Sequence, residues 1–279
     1  MADHVQLDHT VINVRYAMDD AAARFKALGF QLTDRGCHTL GSINHLMMFG
    51  TDYLELIGLP EDAKGAQSGR PDIENAPFGI NGLVFKTNDV DEMYAHLKAI
   101  GMAGDPPKSF SRPVTLPEGT SDACFRTVHV RHDAFPGGRV YFCEHGTPEL
   151  VWRPEWQIHD NGAQAMPEFV VASANHAGEA ENMAKLLRAD VSGSADQLSV
   201  PLAGAQISFV APDAYRARYG DLATSMAERP SIFGALVIRV ADLGAVRGVA
   251  QAAGVPYVDE ADRVVVREEH FDSVIEFVA

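Results

Sequence analysis

Cysteine is scarce in this chain. Cys37, Cys124 and Cys143 are an odd number with no CxxC spacing, so neither a disulfide scaffold nor a zinc ribbon is expected, and a reducing cytoplasm is. The sequence lacks the run of about 18 apolar residues that a membrane-spanning helix needs. Its polar start, Met1-Ala2-Asp3-His4, carries no signal-peptide apolar core. Basic residues are also few: 23 Lys and Arg against 38 Asp and Glu leave a formal charge of −15. Such an acidic surface repels phosphate backbones and anionic lipid, which argues against nucleic-acid and membrane partners. Low-complexity tracts are missing, as are a GxSxG elbow, a P-loop and an HExxH motif, and Gly234 and Gly244 complete no dinucleotide fingerprint. What remains is ordinary globular composition, 46% hydrophobic and 22% charged over 279 residues, enough for one large or two modest domains.

What the sequence does have is a repeat. Four stretches share one grammar of apolar strand, amphipathic helix, stop, and further strands. The first starts at Leu7 to Val14, the second at Ile80 to Thr87, the third at Phe169 to Ala172 and the fourth at Phe233 to Val240. Aligned on these strands, His9, Gly82 and Ala235 share one position, and the helices end at Gly29, Gly101 and Gly254, with Ala189 standing at the third stop. Glycine there suits the left-handed residue that ends a helix. Asp19 and Asp91 fall in first helical turns, against the positive end of the dipole. Short strand-like runs follow each stop, among them Phe30 to Thr33, His45 to Phe49 and Tyr53 to Ile57 in the first unit.

Each unit is thus βαβββ, and the fold class is α+β. One four-stranded unit cannot close on itself, so the modules are expected to pair into two cup-shaped half-barrels. The pairs would be residues 1–151 and 165–279, joined by a proline-broken linker over 152–164 that holds both tryptophans, Trp152 and Trp156. Those indoles read either as a lid or as a pin between the halves.

The stretches Leu7-Asp8-His9-Thr10-Val11, Gly36 to Asn44, Tyr53-Leu54-Glu55-Leu56 and Glu144 to Glu155 resemble the vicinal oxygen chelate superfamily, within it the glyoxalase-like domain proteins. The resemblance implies the glyoxalase/bleomycin resistance/dihydroxybiphenyl dioxygenase fold. It also implies a divalent metal ion (Fe, Zn, Ni or Mn) held in the cup of a module pair by residues of the first and last strands. On that pattern His9 and Glu55 are metal ligands. Glu55 is independently notable, because a charge between Leu54 and Leu56 is expensive unless paired, exposed or metal-bound. In the second module Gly82 stands where a ligand would be. Glu144 and His145 are adjacent and so face opposite sides: aligning Leu54-Glu55-Leu56 on Cys143-Glu144-His145 turns Glu144 inward as a catalytic group, whereas a bulge would turn in His145 as a third ligand. Glu276 occupies the ligand position of the last module's last strand with no second donor set in view, so the second pair reads as structural or gating. The resemblance also allows one site built from the first and last modules, which would join His9 to Glu276.

His38 and His45 flank a polar turn and can supply a base or a substrate contact, with Asn44 beside them to orient a carbonyl. Turn chemistry explains the same residues. The expected function is a metal-dependent lyase, isomerase or dioxygenase acting on a small molecule with vicinal oxygens. The alternative is a metal-free small-molecule binding protein on the same fold, and an interaction module trails both. A homodimer is compatible with the sequence, although four internal modules already supply both halves.

Overall fold

The computed structural model describes residues 4–65, 69–117 and 119–279. It contains two eight-stranded sheets, and each is a pair of βαβββ units. The first unit is β1 (Leu7–Arg15), α1 (Met18–Ala27), β2 (Gly36–Cys37), β3 (Ile43–Met48) and β4 (Tyr53–Gly58). After the single-turn α2 (Pro71–Glu74), the second runs β5 (Gly79–Lys86), α3 (Val90–Ala99), β6 (Lys108–Leu116), β7 (Gly119–His129) and β8 (Arg139–His145). The third is β9 (Ala163–Ser173), α4 (His176–Leu187), β10 (Ser192–Gly193), β11 (Gln197–Leu202) and β12 (Ala205–Val210). Following α5 (Pro212–Tyr219), the fourth is β13 (Ser231–Val240), α6 (Leu243–Ala253), β14 (Tyr257–Asp259), β15 (Arg263–Glu268) and β16 (Ser273–Val278). No helix among the described residues is long and apolar enough to cross a membrane.

Strand order in the first sheet is β2-β3-β4-β1-β5-β8-β7-β6, and the second repeats it as β10-β11-β12-β9-β13-β16-β15-β14. The first strands of the two modules pair antiparallel at the centre, while each first strand runs parallel to its own module's last strand. Curvature brings the outer edges of the first sheet together: Thr39 N donates to Ser111 O at 2.9 Å, and Ser111 N to Thr39 Oγ1 at 3.1 Å. Strong twist and curling of a wide sheet produce this near-closure.

The helix stops read from sequence are left-handed residues at Gly29, Gly101 and Gly254, with φ of +82°, +72° and +66°. In the third module the residue is Arg188 at φ +54°, one place before Ala189. Phe30 to Thr33 is not a strand; only Thr33 joins β3, through hydrogen bonds with Leu46.

Alternation divides the side chains. Residues between the helices and the sheets, such as Phe25 of α1 and the strand residues Phe85, Phe142, Phe169 and Phe277, form one cluster shared by both halves. Inward residues of the first sheet form a second cluster around Val11, Tyr53, Phe125 and Tyr141, with Trp152 and Trp156 packed against it. Both indoles thus pack on the inner cluster of the first sheet.

The two cups differ inside. In the second, α5 lies over the concave face, and its Tyr215 and Tyr219 belong to the inner cluster. Glu276 is occupied there: it accepts from Arg218 Nε at 3.0 Å and from the Tyr219 hydroxyl at 2.8 Å. The first cup is open.

Candidate active site

The interior of the first sheet is a cavity of about 680 Å³. Its chemistry begins with a bulge in β1. Leu7 pairs with Phe85 and His9 with Val84 on β5, which leaves Asp8 as an extra residue. Neighbouring side chains of a regular strand point to opposite faces, but a bulge re-aims one of them. Asp8 and His9 consequently meet on the concave side.

Asp8 Oδ2 accepts from His9 Nδ1 at 2.7 Å and from His145 Nε2 at 3.0 Å. Burial pushes this carboxyl up, but the charges and hydrogen bonds of His145 and then His9 more than offset it and hold it well below the carboxylate range. With Nδ1 committed, His9 turns Nε2 to the cavity. There the Tyr141 hydroxyl lies at 3.2 Å and Glu55 Oε2 at 3.7 Å. Stacking on Tyr53, with ring centroids 4.4 Å apart, fixes the imidazole plane.

Glu55 reaches the cavity from β4, whose alternation also brings in Tyr53 and Ile57. Its Oε1 accepts from Asn44 Nδ2 at 2.6 Å. The same amide nitrogen is 3.3 Å from His38 Nε2, and His38 Nδ1 is 2.9 Å from Ser42 Oγ. Burial lowers His38 to about 4, so its imidazole is neutral at neutral pH and can accept from the amide. A polar chain thus runs from Ser42 through His38, Asn44 and Glu55, across one gap, to His9, Asp8 and His145.

Four residues named from sequence, His9, His38, Asn44 and Glu55, line this cavity together. Three do not line it. His45 alternates to the other face of β3, where its Nδ1 lies 2.7 Å from Thr33 O. Glu144 also faces outward, accepting from Val90 N at the start of α3 at 3.0 Å, beside Arg126 at 3.6 Å. Strand register explains the difference. Val11 pairs with Glu55 and, in the second module, Val84 pairs with Tyr141. Tyr141, and not Glu144, is the counterpart of Glu55. His145 lies on the concave side of β8, but directs its Nε2 at Asp8; its Nδ1 has no partner among the described residues. The bulge that decides these orientations sits in β1 rather than in β8.

Asp8, Cys143 and His145 form a buried cluster whose ligand atoms lie within 4.8 Å of one another. Burial pushes the Cys143 thiol up, which keeps it protonated in the absence of a cation. The His9–Glu55 pair offers a different fit. Its 3.7 Å gap is wider than a hydrogen bond, and two metal–ligand bonds of about 2.1 Å each span it. A carboxylate on the far nitrogen of a metal-ligating histidine is the usual outer support of such a site, and Asp8 supplies it. The donor chemistry of His9 and Glu55 therefore suits a divalent cation, with Tyr141 beside it and the rest of the coordination sphere open to the cavity.

Sequence reading missed Asp8, Tyr141 and Arg112. Alternation hid Asp8 behind His9, and only strand register finds Tyr141. Arg112 lies on β6 in the inward series Phe110, Arg112, Val114, Leu116, which Pro113 disguises. Proline is tolerated there because β6 is the last strand of its sheet.

The profile of the glyoxalase-like domain matches residues 7–187. The chain belongs to the glyoxalase-like domain family. Solved structures share its fold. A hypothetical protein from Staphylococcus aureus superposes with a TM-score of 0.67 at 11% identity, over 98% of each chain. A triple mutant of 4-hydroxymandelate synthase from Streptomyces coelicolor gives 0.61 at 15% identity, over 99% of this chain and 92% of that one. A xylose isomerase-like TIM barrel/4-hydroxyphenylpyruvate dioxygenase fusion protein gives 0.60 at 13% identity, over 99% of this chain and 49% of that one. Comparison with curated proteins finds no match. At such identities the likeness speaks to the fold.

Proposed function

We propose that the first cup of this glyoxalase-like protein is the active site of a metal-dependent enzyme acting on a small molecule with vicinal oxygens. The observation that carries the reading is the His9–Glu55 pair, buried, 3.7 Å apart, facing an open cavity and backed by Asp8. His9 Nε2 and Glu55 Oε2 would hold the divalent cation, with Asp8 orienting His9 and His145 balancing the buried charge of Asp8. When bound, the cation supplies Lewis-acid stabilisation of negative charge developing on a substrate oxygen. The chain's own residues do the rest. Asn44 fixes Glu55 through the amide, and Tyr141 offers a hydroxyl to an oxygen near His9. His38, kept neutral by burial, accepts or relays a proton at Nε2. Phe110 and Phe125, 5.3 Å apart and stacked, give the cavity an apolar wall.

The test is metal content. Protein purified without chelator or nickel affinity should carry close to one equivalent of a first-row divalent metal by mass spectrometry, lost in His9→Ala and in Glu55→Ala. Iron would favour dioxygenase chemistry; zinc, nickel or manganese would favour lyase or isomerase chemistry. Metal lost only on changing Cys143 would move the cation to the Asp8–Cys143–His145 cluster.

One observation favours the metal-free alternative. A Cβ on Gly82 would meet Val11 Cβ at 2.7 Å, so the second module has no room for a ligand side chain at that position. No metal after reconstitution with each ion would make the cup a ligand-binding pocket.

A further inference from the structure

The cavity wall carries several cations, and most are matched. Arg70 and Arg139 share Asp72, each at 2.8 Å, Lys108 has Asp105 at 2.8 Å, and Arg131 has Asp133 at 3.2 Å. Arg112 differs. It is 4% exposed, and among the described residues its side chain makes no hydrogen bond and has no ion-pair partner within 4 Å, although the charge of Glu55 reaches it. Its Nη2 is buried with no acceptor. A guanidinium stays charged at any physiological pH, and an unpaired buried charge is among the most expensive groups a fold can carry. Folding alone gives no reason to keep one there.

Position says what it would meet. Gly36, on β2, is where Arg112 and Asn44 approach each other: a Cβ there would lie 3.0 Å from Arg112 Cδ and 2.2 Å from Asn44 Oδ1. Asn44 in turn holds Glu55. An anion seated on Arg112 therefore stands one side chain away from the His9–Glu55 pair. The planar fork of a guanidinium matches a carboxylate with two parallel hydrogen bonds. The phenylalanine wall suits an apolar body between the two polar ends.

We propose that Arg112 is the anchor for a substrate carboxylate, so that the substrate class is a small carboxylic acid with an apolar body and an oxygen function for the His9–Glu55 pair. The inference rests on the reading of this cup as the substrate site. Arg112 acts as a binding and positioning residue, remote from the reacting oxygen.

The probes are benzoate, benzamide as its uncharged counterpart, and inorganic phosphate, titrated by ¹H–¹⁵N NMR into wild type, Arg112→Met and Arg112→Lys. Benzoate should bind wild type at least tenfold more tightly than benzamide does. Arg112→Met should abolish that preference, leaving benzamide unaffected, and Arg112→Lys should recover part of it. Unliganded Arg112→Met should melt at or above the wild-type temperature, because the charge it removes has no partner to lose. The proposal is overturned by benzoate binding that ignores Arg112→Met, by no preference over benzamide, or by a large drop in melting temperature. Phosphate binding more tightly than benzoate would also overturn it. Metal content separates the two readings. Metal bound through His9 with no carboxylate preference removes only the anchor; an Arg112-dependent preference without metal removes only the metal-enzyme reading.

Discussion

His9 and Asp8 are neighbours in a strand, yet the imidazole Nδ1 of one lies 2.7 Å from the carboxylate of the other. The bulge in β1 makes this contact possible, and it turns His9 Nε2 toward Glu55. One buried carboxylate thereby orients the cavity histidine and holds a second histidine, His145, from the far side of the sheet's centre.

Asp8→Asn tests that dependence. The amide keeps the shape but loses the charge and one acceptor, so His9 is held more weakly and its tautomer is no longer dictated. Loss of an outer-shell carboxylate typically lowers metal affinity about 10–100-fold, and a competition titration with a chromogenic chelator would read it. Asp8→Ala should go further, leaving two buried imidazoles unmatched at a cost of about 3–5 kcal/mol in urea unfolding. Metal affinity unchanged in Asp8→Asn would show that His9 is positioned by Tyr53 stacking alone.

Gly82 is explained by contact with Val11. Their strands pair at this point, and a Cβ on Gly82 would sit 2.7 Å from Val11 Cβ. Gly82→Ala should therefore destabilise by about 1–3 kcal/mol, the usual range for overpacking. Val11→Gly costs stability by itself, but in the double variant it removes both the Cβ and the Cγ2 that the new Cβ would meet at 2.7 Å, so the two effects should fall short of additive by about 1 kcal/mol or more. Additive losses in a urea double-mutant cycle would mean that β1 and β5 simply move apart.

The repeat explains how much could be read in advance. Four strand–helix–stop units at matching spacing determine pairing, module count and the concave faces, because each unit must bury one side. His9 and Glu55 were legible for the same reason: a polar residue at an inward strand position stands out. The choice between Glu144 and His145 is not legible in the sequence, because local patterns such as Leu54-Glu55-Leu56 carry no register across the loops between modules. Only backbone pairing shows that Tyr141 opposes Val84 as Glu55 opposes Val11. Asp8 was hidden by a bulge, which has no sequence signature here, and Arg112 by a proline in an edge strand.

Asp52 gives a pH prediction. It joins the halves by accepting from Met166 N at 3.1 Å, and burial raises its carboxyl from 3.8 to about 6. A folded value above the unfolded one means that the folded state binds the proton more tightly. Its contribution is fully present below pH 3.8 and is lost as pH rises through about 6. Asp52→Asn keeps an acceptor for Met166 and never ionises. Relative to wild type it should gain about 2–3 kcal/mol of stability at pH 8 and nothing at pH 3.5. Melting curves at the two pH values check this, and a gain independent of pH would refute the assignment.

The closed second cup depends on Arg218. Its guanidinium lies 2.9 Å from both Glu168 and Glu276, and the Tyr219 hydroxyl completes Glu276. Burial pushes Glu168 up, but the hydrogen bond and charge of Arg218 more than offset it and leave its carboxyl below the usual value. A depressed folded value means stability that is present at neutral pH and lost as pH falls through it. Arg218→Met leaves the half-buried Glu168 without its counter-charge and Glu276 with Arg263 at 3.6 Å, so it should cost about 3 kcal/mol at pH 7 and clearly less at pH 4, where protonation relieves Glu168. Adding Glu168→Gln and Glu276→Gln to Arg218→Met should restore much of the loss, since a neutral hydrogen-bonded core has no charge to compensate. The folded Arg218→Met protein should keep the metal content and benzoate preference of wild type, because its damage lies in the second sheet. If the first cup lost its ligands together with Arg218, the two sheets would have to be energetically coupled, and the plugged half would be a regulator of the open one.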